Sequence, residues 1–153
     1  MSAVPAIAGL ELGAIVAERT IVLHRDHLVR YAGASGDFNP IHYRDDAAAG
    51  VGLPGVLAHG MLTMGAAVQP VVDWLGGDSG RVLDYQVKFT RPVVVDPREG
   101  AEVSITAKAG ALEPDAEGGP VARIDLTVTY QDQTVLGKAQ VRVRLAADAG
   151  AAS

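Results

Sequence analysis

The chain contains no cysteine, which excludes disulfides, thiol nucleophiles and thiolate metal sites together. Histidine and serine are left to serve as base or nucleophile. No continuous apolar run reaches about eighteen residues, the length that crosses a bilayer, so membrane insertion is not expected. No basic residue precedes Arg19; the apolar N-terminal stretch therefore lacks the charged region of a secretory signal, and a cytoplasmic location is the expectation. Lysine is scarce, three against ten arginines, and the net charge is −5. Basic residues scattered through an acidic chain form no stripe for nucleic acid, although a few arginines suffice for phosphate on a small ligand.

What is present is 153 residues, 48% hydrophobic and 20% charged. That is one soluble domain, with a core over about residues 10–145 and a flexible small-residue tail over 146–153. No internal repeat is evident. The Gly/Pro/acid-rich stretch from Glu113 to Pro120 reads as a hairpin loop.

Thr20 to His24 has the β-branched character of a strand. Asp26 is placed to N-cap a helix with Leu28, Tyr31 and Ala32 on one face, stopping near Gly33 to Gly36. From Met61 to Leu75 the chain is apolar nearly all round, which predicts a buried helix that Pro70 bends or loosens and Gly76-Gly77 ends. Period-two alternation then predicts strands. The inward positions are Leu83, Tyr85, Val87 and Phe89; Val103, Ile105 and Ala107; Ala122 to Tyr130 at even positions; and Val135, Gly137, Ala139, Val141, Val143 and Leu145. The order implies an α+β fold, an antiparallel sheet curling around one helix.

Gly36-Asp37-Phe38-Asn39-Pro40-Ile41-His42 carries the chemistry. Pro40 keeps this stretch out of a helix and pushes Asn39 towards extended backbone. A carboxylate, a carboxamide and an imidazole lie within six residues, the equipment for moving protons at a substrate carbon and oxygen. The competing reading is a plain Asx-turn, in which Asp37 and Asn39 bond only their own backbone. Gly60, opening the apolar helix after Ala58-His59, offers a backbone N–H with the helix dipole behind it, a donor for a developing oxyanion. The competing reading is a glycine needed only for a tight turn into the helix. His59 reads as a hydrogen-bonded structural histidine, and His24 and His27 as surface or capping residues. The four histidines show no metal-ligand spacing, and no metal or cofactor is expected. Arg91, Arg44 and Lys88 are candidates for the phosphates of a carrier, or are simply solvated. Tyr31 and Phe38 either line a substrate channel or pack in the core.

Tyr31-Ala-Gly-Ala-Ser-Gly-Asp-Phe-Asn-Pro-Ile-His42, with Ala48 six residues on, resembles the hydratase 2 motif of MaoC-like (R)-specific enoyl-thioester hydratases and dehydratases. Ala58-His-Gly-Met-Leu62 and Phe89-Thr-Arg-Pro-Val93 match further segments of that family. Within that family the chain is similar to the catalytic (3R)-hydroxyacyl-carrier-protein dehydratase subunits of mycobacterial type. Ala34 departs from the pattern, where a larger aliphatic residue is usual. The resemblance implies a hot-dog fold and reversible hydration of trans-2-enoyl thioesters, carried by coenzyme A or acyl carrier protein. It places Asp37, His42, Asn39 and Gly60 in catalysis, with Tyr31, Phe38, His59, Met61 and Arg91 around the substrate. His42 would serve C2 and Asp37 the hydroxyl or water, with exchanged or shared roles open. Asn39 would hold the water or fix the loop. A homodimer, or a heterodimer with a related hot-dog subunit, is implied as well. Two alternatives stand: a non-catalytic acyl-binding subunit, disfavoured by the presence of both Asp37 and His42, and a hot-dog thioesterase. The latter should carry its carboxylate on the central helix, where Asp73, near the end, is the single acid.

Overall fold

The computed structural model describes residues 3–114 and 119–147. Its elements are β1 (Ile15–Leu23), α1 (Arg25–Ser35), α2 (Asp45–Gly50), α3 (Gly60–Trp74), β2 (Val82–Phe89), β3 (Ala101–Pro114), β4 (Pro120–Tyr130) and β5 (Gln133–Arg144), with short 3-10 turns that include Pro40–His42. The five strands form one sheet in the order β1-β3-β4-β5-β2, antiparallel throughout. α3 lies against β1, β2 and β3, and its Ala67 and Val71 join Leu28 of α1 and Val103, Ile105, Ile124 and Val141 of the sheet in a single buried core. Alternation in β3 and β4 puts Val103, Ile105, Ala107, Ile124 and Val128 inside, as their period-two pattern predicts.

Several expectations change on contact with the structure. β1 begins at Ile15 rather than Thr20. α1 is capped by His24, not Asp26: the main-chain N–H of His24 donates to His27 Nδ1 at 2.9 Å in a reciprocal capping box, while Asp26 sits in the first turn and pairs with Arg30 at 3.0 Å. An imidazole nitrogen supplies the acceptor that a carboxylate usually does. The helix ends at Ser35, where Gly36 takes φ 78° and turns the chain out.

α3 runs through Pro70 as one uninterrupted helix. Proline removes one main-chain bond there, but burial of Ala67, Pro70, Val71 and Val72 holds the segment in place. It is also not buried all round, since Met61, Gly65, Gln69 and Asp73 form an exposed i, i+4 stripe. A helix resting on one face of a sheet buries only the side towards it.

In β2, Tyr85 and Val87 point inward but Leu83 and Phe89 are exposed at 38% and 50%. Register shifts against β5 between Val82 and Asp84 and between Gln86 and Lys88 break the alternation. In β5 both Val135 and Leu136 are buried, and Lys138 takes φ 48°. Ala34 is exposed, so its departure from the family pattern meets no core. Of the expected tail, Ala146 is tied down, bridging Ala6 and donating to the Pro5 carbonyl at 3.0 Å; residues 148–153 lie outside the described ones, as do 115–118 in the expected hairpin loop, whose flanks pair as Pro114 and Pro120.

Candidate active site

The left-handed Gly36 delivers the chain from α1 into a turn held by its own polar side chains. Asp37 Oδ1 accepts from the Asn39 N–H at 3.2 Å, and Asn39 Oδ1 accepts from the Ile41 N–H at 3.3 Å, starting the Pro40–His42 turn. The Asx-turn is thus real, but it uses only one of the two Asp37 oxygens. The other, Oδ2, stands 3.9 Å from His42 Nε2. Asn39 is exposed and does not line the cavity; its side chain fixes the loop.

His42 is oriented by a main-chain group. Its Nδ1 lies 2.7 Å from the Leu57 carbonyl oxygen, which can only accept, so Nδ1 carries the hydrogen and Nε2 presents a lone pair in the neutral ring. Leu57 is itself held by its N–H to the Ile41 carbonyl at 3.1 Å. His59 is 1% exposed, stacked on His42 with ring centroids 3.8 Å apart and planes 23° from parallel. Its Nε2 meets the Asp37 carbonyl at 3.2 Å. Burial pushes its pKa below the ordinary histidine value, opposed by the bond to Asp37.

Gly60 is the first residue of α3, so its amide and that of Met61 find no acceptor within the helix. A β-carbon at Gly60 would come within 3.0 Å of the Phe89 ring. These groups border a cavity of about 660 Å³. Of the residues expected from sequence, Tyr31, Asp37, His42, His59, Gly60, Met61 and Arg91 come together there. Phe38 does not: it is 60% exposed, and its carbonyl accepts from the Tyr43 hydroxyl. Arg44 is engaged by Asp46, whose hydrogen bond and charge raise the guanidinium pKa, and Lys88 is outside the cavity. Arg91 reaches the Thr134 carbonyl at 3.3 Å from the cavity rim. Sequence reasoning missed the Leu57 carbonyl, for which no side-chain signal exists, and Leu136, which is buried beside Val135 against the β5 alternation and lines the cavity.

Donor atoms of Asp37, His42 and His59 all lie within 4.8 Å of one another, a proximity that histidine spacing did not reveal. Two of the four ring nitrogens are committed to carbonyls, however, and nearly parallel stacked rings direct their in-plane lone pairs side by side rather than at a common point. The arrangement suits an acid–base pair better than a chelate.

A model of the MaoC like domain matches residues 12–118, and the chain belongs to that family. Over 75 residues, 49% of its length, it is 41% identical to 3-hydroxyacyl-thioester dehydratase X of Mycobacterium tuberculosis, of which it spans 25%. Among solved structures, a MaoC-like dehydratase superposes with TM-score 0.86 at 34% identity, covering 94% of this chain and 43% of that one. The (R)-hydratase from A. caviae involved in PHA biosynthesis superposes with TM-score 0.73 at 25% identity, covering 90% and 98%. The chain therefore spans a quarter of the curated relative and under half of the first of these structures. The fold is the hot-dog fold expected from the motif, its five-stranded antiparallel sheet laid over the long helix α3.

Proposed function

We propose that this chain adds water reversibly across trans-2-enoyl thioesters to give (3R)-3-hydroxyacyl thioesters. The observation that carries the reading is the 3.9 Å separation of Asp37 Oδ2 and His42 Nε2 at a cavity that also holds the Gly60 helix start. The gap is too long for a direct hydrogen bond and leaves room for one oxygen atom within hydrogen-bond reach of both groups. In hydration, the Asp37 carboxylate takes a proton from that water as its oxygen bonds to C3. Protonated His42 then delivers its Nε2 proton to C2, and negative charge passing through the thioester oxygen meets the Gly60 amide. The reverse sequence, with His42 taking the C2 proton, dehydrates the hydroxyacyl thioester.

The cavity wall is mainly apolar, with Leu57, Phe89, Val93 and Leu136, which suits an acyl chain, and Arg91 at the rim suits the phosphates of coenzyme A or the phosphopantetheine of a carrier protein. Asn39 acts by holding the loop. The thioesterase reading loses ground because Asp73 is bound to Arg19 at 2.7 Å at the far end of α3, away from the cavity. Exposed Met61 and Phe89 beside the cavity favour a working dimer, in which a second hot-dog subunit, identical or related, completes the wall. No described helix is long and apolar enough to cross a membrane.

The test is loss of enoyl absorbance on adding purified protein to crotonyl-CoA and to longer enoyl thioesters, with chiral analysis of the product. (R)-3-Hydroxyacyl product is expected. No absorbance change on either carrier, or release of free thiol instead, overturns the reading.

A further inference from the structure

We propose that His59 is a positioning residue for the Asp37–His42 pair, tying the Asp37 turn to the start of α3 and backing the His42 ring, with no proton passing through it. The proposal rests on the hydratase reading above.

Tautomers follow from the acceptors. The Asp37 carbonyl 3.2 Å from His59 Nε2 can only accept, so the hydrogen of His59 is on Nε2. Its Nδ1 is buried with no partner, and a second proton there would place an unpaired N–H and a charge in a buried site. Burial also disfavours the cation, in keeping with the depressed pKa. His59 is thus a neutral ring with its single N–H committed to the main chain. His42 is protonated in the opposite sense, on Nδ1 towards Leu57, with Nε2 turned to Asp37. A relay would need His59 to exchange a proton with its neighbour, and stacked faces 3.8 Å apart offer no N–H···N line between them.

What the side chain does instead is mechanical. One face supports His42; Tyr31 of α1 meets the ring edge-on, centroids 4.7 Å apart; and the Nε2–H holds the main chain of Asp37 itself. Because His59 immediately precedes Gly60 at the N-cap of α3, this one residue sets the spacing among Asp37, His42 and the Gly60 amide. The titratable groups packed on it are Asp37, His42 and Tyr31, so no other charge enters the arrangement from these neighbours. A core residue that only filled volume would need neither the donor nor its aim.

The experiment compares His59→Phe, which keeps a ring against His42 but loses the donor, with His59→Gln, which keeps a side-chain N–H able to reach the Asp37 carbonyl. Misplacing a reacting group by about 1 Å costs on the order of 100-fold. The expected result is a kcat of His59→Phe reduced about 10- to 100-fold with KM within about two-fold, and recovery in His59→Gln to within about five-fold of the parent. Unchanged kcat in His59→Phe, or equal losses in both variants, overturns the proposal. Nitrogen-15 spectra of the full chain at about pH 8, where an imidazole is neutral, read the tautomers directly: hydrogen is expected on His59 Nε2 and on His42 Nδ1. Hydrogen on His59 Nδ1 overturns the proposal even if neither variant folds. Should the parent chain turn over no enoyl thioester, the hydratase reading fails while the spectra still decide the placement of both rings.

Discussion

The Phe89 ring occupies the space where Gly60 would carry a side chain: a β-carbon there would lie 3.0 Å from both Cδ1 and Cε1. A side chain at Gly60 would therefore press on a neighbour before it met any substrate. Phe89 is half-exposed, so its ring is free to shift by the few tenths of an ångström that a methyl group demands. Alanine also favours a helix over glycine by up to about 1 kcal/mol, less at a first position. Gly60→Ala is therefore expected to change the melting temperature by no more than about 2 °C. Its kcat/KM for enoyl thioesters should drop at least about 10-fold, because the methyl stands beside the amide that the thioester oxygen must reach. Parent-like kcat/KM would remove Gly60 from the proposed oxyanion site.

Asp37→Asn separates the two uses of one side chain. Asparagine keeps an oxygen for the Asn39 N–H, so the turn closes as before. What disappears is the carboxylate facing His42. A kcat lower by about 10² to 10⁴ is expected, with thermal stability close to the parent's, since acid–base groups contribute rates of that order. His42→Gln should show a similar kcat loss. Turnover assays paired with melting curves read both, and a loss of stability in Asp37→Asn matching the loss of rate would mean that Asp37 serves the turn alone.

Periodicity made most of this fold legible, and it failed where geometry replaced pattern. Strands β3 and β4 sit as their alternation requires because both are interior strands with a strict inward face. β2 is an edge strand interrupted by register shifts, so Leu83 and Phe89 leave the core although their spacing places them in it. Pro70 stays within α3 because burial around it outweighs one lost bond, a tertiary effect with no local signal. At the site, Asp37, His42 and Gly60 were legible as chemistry-bearing types in a dense motif. The stacking of His59 on His42 was not, since seventeen residues separate them and only the fold brings the rings together.

Gly100 supports the loop before β3 and is tightly constrained. It has φ +76°, and a β-carbon there would fall 2.6 Å from the Leu23 carbonyl oxygen and 2.8 Å from His24 Nδ1. Backbone cannot give way as a side chain can, and a left-handed conformation adds strain to any L residue. Gly100→Ala is expected to destabilise by about 2–4 kcal/mol, the range for strain combined with overpacking. The displaced segment includes His24, the cap of α1, so weakened capping should appear with it. Urea unfolding measures the loss; a midpoint equal to the parent's would show that the Leu23–Gly100 contact relaxes freely.

Tyr85 links β2 to the central helix, its hydroxyl donating to the Met64 carbonyl at 2.9 Å. Burial pushes its pKa from 10.0 up to about 12. Ionisation is therefore easier in the unfolded chain than in the folded one. The stabilisation is complete below about pH 10 and is lost progressively as pH rises from 10 towards 12. For a half-buried group this amounts to about 1–2 kcal/mol after solvent screening. Tyr85→Phe should cost about 1 kcal/mol at pH 8, where only the hydrogen bond is lost, and should flatten the alkaline decline. Tyr130, whose pKa burial also raises, leaves a smaller residual slope. Urea unfolding of parent and variant at pH 8 and pH 11 measures both effects, and parallel losses of stability between the two pH values would show that the Tyr85 hydroxyl is hydrated in the folded protein.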